Sequence, residues 1–301
     1  MRYHYGRCLP ALLGSLFLAA CGGTGGDSAP GTTGRISLGI TDAPVDGATA
    51  VVVKFTAVEL KPETGDAFTI ELSPALSIDL LALAGGGSRT LLEPHDVPAG
   101  RYQWVRLLIE AQQNQPSSYI DLASGQRFPL FVPSGSESGL KLIRGFTVAA
   151  GSISNFTIDF DLRKSVIAPP GQAPNYLLKP VLRMVDNLQV GTVAGTVAAA
   201  LVLADCSPLV YLFAGSAVVP DDLDGAPAPD VDPLASVPVR LDTASGEYRF
   251  RAGFLEVGSY TASFTCNGAA DTPDGEEVLV FAGTQNVAVT ANQTTSIAFA
   301  P

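Results

Sequence analysis

The chain has 301 residues, a formal net charge of -11 and a hydrophobic content of 47%. So much apolar material excludes a mainly disordered chain, and the excess of negative charge argues against nucleic acid as a partner. With 31 glycines and 22 prolines beside abundant Val and Thr, the composition favours short strands joined by turns.

Residues 1–20 have the pattern of an export signal. Arg2 and Arg7 give a positive start, and the apolar run of residues 9–20 is too short to span a bilayer as a helix. The run ends in Leu18-Ala19-Ala20-Cys21, which resembles the bacterial lipobox, where the cysteine receives a lipid. An ordinary cleaved signal with an incidental cysteine is the alternative.

The lipobox resemblance implies that acylated Cys21 inserts into the lipid bilayer. The acyl chains of such a lipoprotein exceed what stable anchoring requires. Gly22 follows the cysteine, whereas an aspartate there would resemble the signal for inner-membrane retention. We therefore expect an outer-membrane anchor, with the protein facing the periplasm or the cell surface. The glycine-rich residues 21–33 are predicted to form a flexible tether.

Alternation of apolar and polar residues recurs after the tether and indicates β-strands. The clearest run sets Phe156, Ile158, Phe160 and Leu162 against Thr157, Asp159, Asp161 and Arg163. Such a run is typical of a sandwich sheet with one solvated face. We interpret the polar set, with Lys164, as salt-bridged surface charge, and paired catalytic carboxylates are the alternative for Asp159 and Asp161.

The alternation lapses near residue 186, and residues 191–197 have the composition of a linker that passes into a new strand. We predict an all-β chain with two tandem antiparallel β-sandwich domains of Greek-key, transthyretin-like or Ig-like type. The first would cover residues 34–188 and the second residues 192–301. The second is the more acidic, because residues 191–301 hold 3 basic and 13 acidic side chains.

Short segments recur in the two halves. The matching pairs are residues 99–102 with 257–260, 123–128 with 244–250, and 148–151 with 289–292. The first two pairs occur in opposite order, so a simple duplication is not indicated, and shared turn chemistry is an alternative origin. We predict two modules of similar type.

Several motifs resemble the DUF4382 domain, a domain of unknown function found largely in bacterial lipoproteins. They are Gly39-Ile40-Thr41-Asp42-Ala43-Pro44-Val45-Asp46, Val97-Pro98-Ala99-Gly100-Arg101-Tyr102, Gly139-Leu140-Lys141-Leu142, Phe160-Asp161-Leu162-Arg163-Lys164-Ser165 and Tyr176-Leu177-Leu178-Lys179-Pro180-Val181-Leu182-Arg183. The resemblance covers roughly residues 34–187. The resemblance implies a fold and a location in the cell envelope, but it supplies no catalytic residues. The second half is similar to carboxypeptidase-regulatory-like and transthyretin-like sandwiches through Gly246-Glu247-Tyr248 and Val257-Gly258-Ser259-Tyr260.

Cys206 and Cys266 are the only cysteines after Cys21. An oxidising compartment allows such a pair to join, so we predict a disulfide. Two buried free thiols are the alternative.

Signatures of catalysis are scarce. His95 is the one histidine after the signal, which excludes histidine-based metal clusters, and the prolines beside it predict a surface turn. The glycine run at residues 85–88 lacks the lysine of a phosphate-binding loop.

Two acidic loops are candidates for calcium, the one cofactor that the sequence suggests. The first holds Asp221, Asp222, Asp224, Asp230 and Asp232, and the second holds Asp271, Asp274, Glu276 and Glu277. Clustered carboxylates supply the oxygens that Ca²⁺ requires, although neither loop has the spacing of an EF-hand. A merely solvated acidic loop is the alternative.

The sequence favours a non-enzymatic binding or structural module of the cell envelope, with an envelope protein or a glycan as partner. The first alternative is carbohydrate binding through aromatic rings, if exposed, at Tyr102, Trp104, Tyr119, Phe128 and Phe131. The second is an enzyme that uses carboxylates alone, as glycosidases do.

Overall fold

The computed structural model describes residues 33–43, 47–133, 139–168, 175–179, 181–225, 231–273 and 275–301. The predicted signal, Cys21 and the tether up to residue 32 lie outside these ranges. Within them the chain is built almost entirely of strands, which confirms the all-β fold class.

The first half of the described chain contains thirteen strands and one short helix, α1 (Leu162–Ser165). The strands are β1 (Thr33–Ala43), β2 (Ala48–Pro62), β3 (Phe68–Asp79), β4 (Arg89–Pro98), β5 (Gly100–Ile109), β6 (Tyr119–Leu122), β7 (Arg127–Phe131), β8 (Leu140–Leu142), β9 (Phe146–Val148), β10 (Ile153–Asp161), β11 (Val166–Ile167), β12 (Tyr176–Leu178) and β13 (Leu182–Asp186).

The second half of the described chain contains eight strands. They are β14 (Val190–Val197), β15 (Leu209–Ala214), β16 (Ala235–Pro238), β17 (Arg240–Asp242), β18 (Glu247–Glu256), β19 (Gly258–Thr265), β20 (Phe281–Val289) and β21 (Thr294–Phe299). Short 3-10 turns occupy Leu81–Leu83, Asn187–Gln189, Ala199–Leu201 and Gly268–Ala270.

The first half is a sandwich of a small and a large sheet. The small sheet has the order β13-β10-β1-β4, and the large one has the order β11-β12-β7-β6-β2-β5-β8, with β3 on β2 and β9 on β5. Apolar residues at every second position face the core, as alternation predicts. Phe55 and Phe160 meet there edge to face, with ring centroids 6.2 Å apart. Burying each such ring contributes about 1.5–3 kcal/mol.

The second half is a sandwich of two four-stranded sheets, β17-β18-β14-β21 and β16-β15-β19-β20. Its core includes Val193, Leu212 and Phe264, and a separate buried cluster surrounds Tyr211 and Phe213. A disulfide joins Cys206, before β15, to Cys266, after β19. The predicted disulfide is therefore confirmed.

The first strands of the two sandwiches have corresponding neighbours. In each, the first strand pairs antiparallel with one neighbour and parallel with another, as β1 does with β4 and β10, and β14 with β18 and β21. The chain then crosses to the other sheet at β4–β5 and at β18–β19. Parallel pairs, including β7 with β12, make the sheets mixed rather than purely antiparallel.

A tyrosine hydrogen bond recurs at the crossing between sheets in both sandwiches. The hydroxyls of Tyr102 and Tyr260 each donate to the carbonyl four residues earlier, Pro98 and Glu256, at 2.7 Å. Such a tyrosine corner fixes the crossing of the chain between sheets. These tyrosines end the first pair of recurring segments, so that pair marks the same structural position in both halves.

The first strands begin in the same way. A Cβ at Gly34 would lie 2.2 Å from the carbonyl oxygen of Ala149, and a Cβ at Gly191 would lie 2.3 Å from that of Thr290. Only glycine allows the first strand to approach the returning hairpin so closely. The predicted linker at 191–197 is wrong, because this stretch is strand β14 and the connection is the turn Asn187–Gln189.

Candidate functional site

The polar side chains of the run 157–163 are packed against the second half instead of facing water. The described residues between 33 and 301 form one compact unit. Thr157 is 1% exposed and Arg163 is 4% exposed. The alternation correctly predicts the apolar face, but the prediction of a solvated opposite face is wrong, because residues more than forty positions later cover it.

Arg163 is carried into this interface by α1. The Asp161 carboxylate caps the helix by accepting from the backbone N–H of Lys164 at 3.2 Å, which ends β10 and redirects the chain. The Arg163 guanidinium donates to the Tyr211 hydroxyl at 3.1 Å and to the Asp271 carbonyl at 2.7 Å. It also lies 3.0 Å from the Asp271 carboxylate. A buried ion pair therefore joins the two halves.

Tyr211 completes this cluster as a neutral donor. Its ring is fully buried, and its hydroxyl donates to the Asp271 carboxylate. Burial raises the pKa of Tyr211 far above its ordinary value, because desolvation disfavours the phenolate. Asp271 thus receives hydrogen bonds from Arg163, Tyr211 and the backbone N–H of Leu223, the last at 3.0 Å.

The two predicted acidic loops meet beside this ion pair. Asp222 of the first loop and Asp271 and Glu277 of the second each place a carboxylate oxygen within 4.8 Å of the other two. Asp222 is 2% exposed, and its Oδ1 atom is buried without a hydrogen-bond partner among the described residues. Burial raises the pKa of Asp222. We call these three residues the acidic cluster.

The other predicted calcium ligands lie elsewhere. Asp221 accepts from the backbone N–H of Asp222 at 3.1 Å, and Asp224 is not part of the cluster. Asp232 forms an ion pair with Lys164 at 2.6 Å, which is a second link between the halves. Asp230 and Asp274 lie outside the described residues. Of the four described members of the first loop, Asp222 joins the cluster, and its partners Asp271 and Glu277 come from the other loop.

Asp159 and Asp161 line a cleft of about 300 Å³ between the halves. Burial raises the pKa of both carboxyls. Asp159 is held by Arg183 at 2.6 Å, and Asp161 caps α1. Both carboxylates therefore already serve ion pairing or helix capping. His95, predicted to lie in a turn, is an exposed residue within strand β4.

The aromatic candidates for sugar stacking are in part core residues. Tyr102 is 2% exposed and stacks on Phe146, with ring centroids 5.0 Å apart. Trp104 lies beneath the Lys141 ammonium at 4.3 Å, and Tyr119 beneath the Arg127 guanidinium at 3.7 Å. Phe128 and Phe131 are half-buried. Cations thus already cover the Trp104 and Tyr119 ring faces.

An open groove of about 700 Å³ follows the outer face of sheet β17-β18-β14-β21. Arg240, Arg249 and Arg251 line it, and these are all the basic residues of 191–301. Its floor carries short side chains, namely Ala194, Thr196, Ser296 and Ala298, and Ala84 and Gly85 of the first half add to its lining. We call this surface the arginine groove. Sequence reasoning missed it, because the arginines come together only through strand pairing.

Register explains why the arginines share one face. Arg249 and Arg251 are two positions apart on β18, and Arg240 of β17 is the direct cross-strand partner of Arg249. Like charges at such positions destabilise a sheet. Half-buried Asp242 and exposed Glu247 offset part of the charge at Arg249, and Arg251 donates to the Thr192 hydroxyl at 3.4 Å.

Residues 33–180 match the family described as "Domain of unknown function (DUF4382)". This confirms the resemblance read from the motifs of the first half. The comparison with curated proteins gave no match. In the part of the chain that the structure describes, no helix has the length and apolar character needed to cross a membrane.

Solved structures show only weak similarity. A leucine-rich repeat protein from Bacteroides thetaiotaomicron is 13% identical with a TM-score of 0.20, over 88% of this chain and 26% of its own. The minor pilin of Streptococcus agalactiae is 11% identical with a TM-score of 0.19, over 87% of this chain and 93% of the pilin. A fimbrial protein from Bacteroides ovatus is 8% identical with a TM-score of 0.20, over 89% of this chain and 48% of the fimbrial protein. The chain thus spans about a quarter of the first of these proteins, and scores this low carry no argument about function.

Proposed function

We propose that the chain, whose residues 33–180 match the DUF4382 family, is a lipid-anchored, non-enzymatic module of the cell envelope that binds an acidic glycan in the arginine groove. The arginine groove is the observation that carries this proposal. It gathers every basic residue of a strongly acidic half onto one open face.

The charge of the groove supports an anionic ligand. Residues 191–301 hold 13 acidic side chains and 3 arginines. A random distribution of these side chains over the surface would not place all three arginines on one face. Guanidinium groups bind carboxylates and sulfates in a planar, bidentate manner. The three arginines therefore favour a ligand with anionic groups repeated along its length.

The floor of the groove favours a sugar chain as the carrier of those groups. The Thr196 and Ser296 hydroxyls lie among small side chains, and Gly195 keeps the strands close, since a Cβ there would lie 1.8 Å from the Ile297 carbonyl oxygen. A shallow floor with hydroxyl donors suits sugar hydroxyls and carboxylates. An acidic peptide added as a strand would instead pair with an edge such as β21.

The lipobox resemblance at Cys21 supports the proposed location. The motif Leu18-Ala19-Ala20-Cys21 resembles the lipobox, and Gly22 lacks the acidic character that would resemble an inner-membrane retention signal. Acyl chains at this position would hold the folded halves at the outer membrane without a transmembrane helix. The disulfide Cys206–Cys266 suits an oxidising compartment.

Affinity electrophoresis tests the groove. The chain should be retarded by polygalacturonate and not by neutral dextran, and retention should fall with added salt. The triple variant R240Q/R249Q/R251Q should bind at least tenfold more weakly, while the single variant R101Q, at an exposed arginine of the first half, should bind like the parent. If the triple variant bound as well as the parent, the arginine groove would not be the binding site. If polyglutamate retarded the chain and polygalacturonate did not, the ligand would be an acidic peptide and not a glycan.

Metabolic labelling with a radioactive fatty acid tests the anchor. The parent chain should carry the label and sediment with the outer membrane, whereas C21S should be unlabelled and released from membranes. Labelled C21S, or unlabelled parent chain, would exclude this anchor while leaving the groove untouched.

A further inference from the structure

We propose that the acidic cluster of Asp222, Asp271 and Glu277 is a Ca²⁺ site that fastens the two loops of the second half over the Arg163 ion pair. Three carboxylates from two loops meet there, and the same Asp271 accepts from Arg163 of the first half. The site is independent of the arginine groove, so each proposal can fail without the other.

The unsatisfied Oδ1 of Asp222 is the observation that points to a ligand. Asp222 is 2% exposed, and its Oδ2 accepts from the backbone N–H of Glu277, whereas its Oδ1 has no partner among the described residues. A buried carboxylate oxygen without a partner is destabilising, because it has lost its hydration and gained nothing in return. A bound cation would satisfy this atom.

Charge balance favours a divalent ion. Asp222, Asp271 and Glu277 contribute three negative charges, and Arg163 contributes one positive charge beside Asp271. The Thr272 backbone N–H and hydroxyl donate to the Glu277 carboxylate at 2.9 and 2.8 Å, which stabilises its charged form. Two negative charges then remain in a partly buried site, and one divalent cation balances them.

The donor set and its spacing favour calcium. The ligand atoms of the cluster are carboxylate oxygens, which are hard donors, and no histidine or cysteine takes part. Two oxygens that bind one Ca²⁺ at about 2.3–2.6 Å lie at most about 5 Å apart. The three oxygens lie within 4.8 Å of one another, which meets that limit. Irregular loops, with water filling the remaining positions, suit the flexible coordination of Ca²⁺ better than the strict octahedron of Mg²⁺.

The affinity expected for this site rests on the proposed location in the cell envelope. Extracellular modules bind Ca²⁺ with dissociation constants of about 10⁻⁴–10⁻³ M, and we expect this range because three carboxylates share the site with an arginine. Occupied, the site would hold the chain near Asp222 against the chain near Glu277. Asp271 would then be fixed from both sides, by the ion and by Arg163.

Thermal unfolding with and without calcium tests the site. The full-length chain, stripped with EDTA, should melt several degrees higher in millimolar CaCl₂. D222N should lose this response and bind Ca²⁺ at least tenfold more weakly, whereas D205N, with the same charge change at an exposed position of the same half, should respond like the parent. An unchanged melting temperature in the parent, or an equal response in D222N, would overturn the proposal.

Terbium luminescence keeps the test decisive if D222N folds poorly. The Tyr211 hydroxyl contacts Asp271, so Tb³⁺ in the cluster should be excited through this tyrosine and displaced by CaCl₂. E277Q, at a half-buried residue, should reduce the signal at least tenfold, and Y211F should reduce it only in part. Signal that persists in E277Q would place the ion elsewhere and overturn the site, as would absence of sensitised signal in the parent.

Discussion

The small sheet of the first sandwich, β13-β10-β1-β4, and its counterpart in the second, β17-β18-β14-β21, have the same central strand pairings but opposite surroundings. On the outer face of the first, Thr41 and Thr157 are 3% and 1% exposed, and Thr41 lines a small pocket together with Val237 and Ala252 of the second half. On the outer face of the second, Arg249 and Arg251 remain exposed. The shared pairings therefore do not decide which face is available to a ligand; the position of the neighbouring sandwich does.

Arginine has a different role on each of these faces. Arg163 is buried and its charge is met by Asp271, so it holds the halves together. Arg249 is about half exposed and its acidic neighbours are solvated, so it stays accessible. The comparison predicts a large loss of stability for the first residue and a loss of binding for the second.

Replacement of Arg163 should have the largest effect. R163M leaves the Asp271 carboxylate buried without its cation, so we expect a loss of about 3–5 kcal/mol in the free energy of unfolding. Urea denaturation followed by circular dichroism measures this change. The matched control is R144M, which breaks the exposed pair Arg144–Glu256 across the same interface and should cost less than about 1 kcal/mol. Similar losses for the two variants would refute the assignment of Arg163 as the buried link.

Removal of the disulfide should have the next largest effect, because the first sandwich has no such crosslink. Cys206 and Cys266 are 60 positions apart, and closing a loop of that size stabilises the fold by about 4 kcal/mol in the chain-entropy model. We expect C206S/C266S to unfold at a lower urea concentration. Trp104, the single tryptophan, reports on the first sandwich by fluorescence. A shift of its transition together with the circular dichroism shows that the halves unfold as one unit, and an unshifted transition would show that the interface does not couple them.

The two tyrosine corners should contribute equally to the free energy of unfolding. Y102F and Y260F each remove one hydrogen bond to a backbone carbonyl, so each should cost about 1 kcal/mol. Urea denaturation of the parent and of both variants measures the two losses in unfolding free energy. A large loss in one half and none in the other would contradict the structural equivalence of the two crossings.

Exchange of the hairpin residues should have the smallest effect. Gly151 has a φ of 69° and Asn292 a φ of 57°, each in the turn before the last long strand of its sandwich. Asparagine tolerates this left-handed region, and a Cβ at Gly151 would meet nothing within 4 Å. We therefore expect G151N to change the unfolding free energy by less than about 1 kcal/mol. G151V is the contrasting variant, since a β-branched residue is strained at this φ, and equal values for the two would contradict the equivalence.

Much of the fold could be predicted from the residues themselves. Alternation correctly placed Phe156, Ile158 and Phe160 in the core, because side chains of a strand point to opposite faces. The recurring segments that end at Tyr102 and Tyr260 indicated related modules, and counting cysteines identified the disulfide. The sequence also located the two acidic loops, but not which of their carboxylates would meet.

By itself, then, the sequence determined the strand pattern, the apolar faces, the Cys206–Cys266 pair and the DUF4382 resemblance, since each depends on local chemistry or on residue identity. Only the tertiary structure decided that Arg163 is buried, that Asp222 meets Asp271 and Glu277, and that three arginines line one groove. These arrangements depend on contacts between residues distant in the chain, and such contacts follow from strand pairing, from the meeting of loops and from the packing of the two sandwiches, not from the period of any one strand.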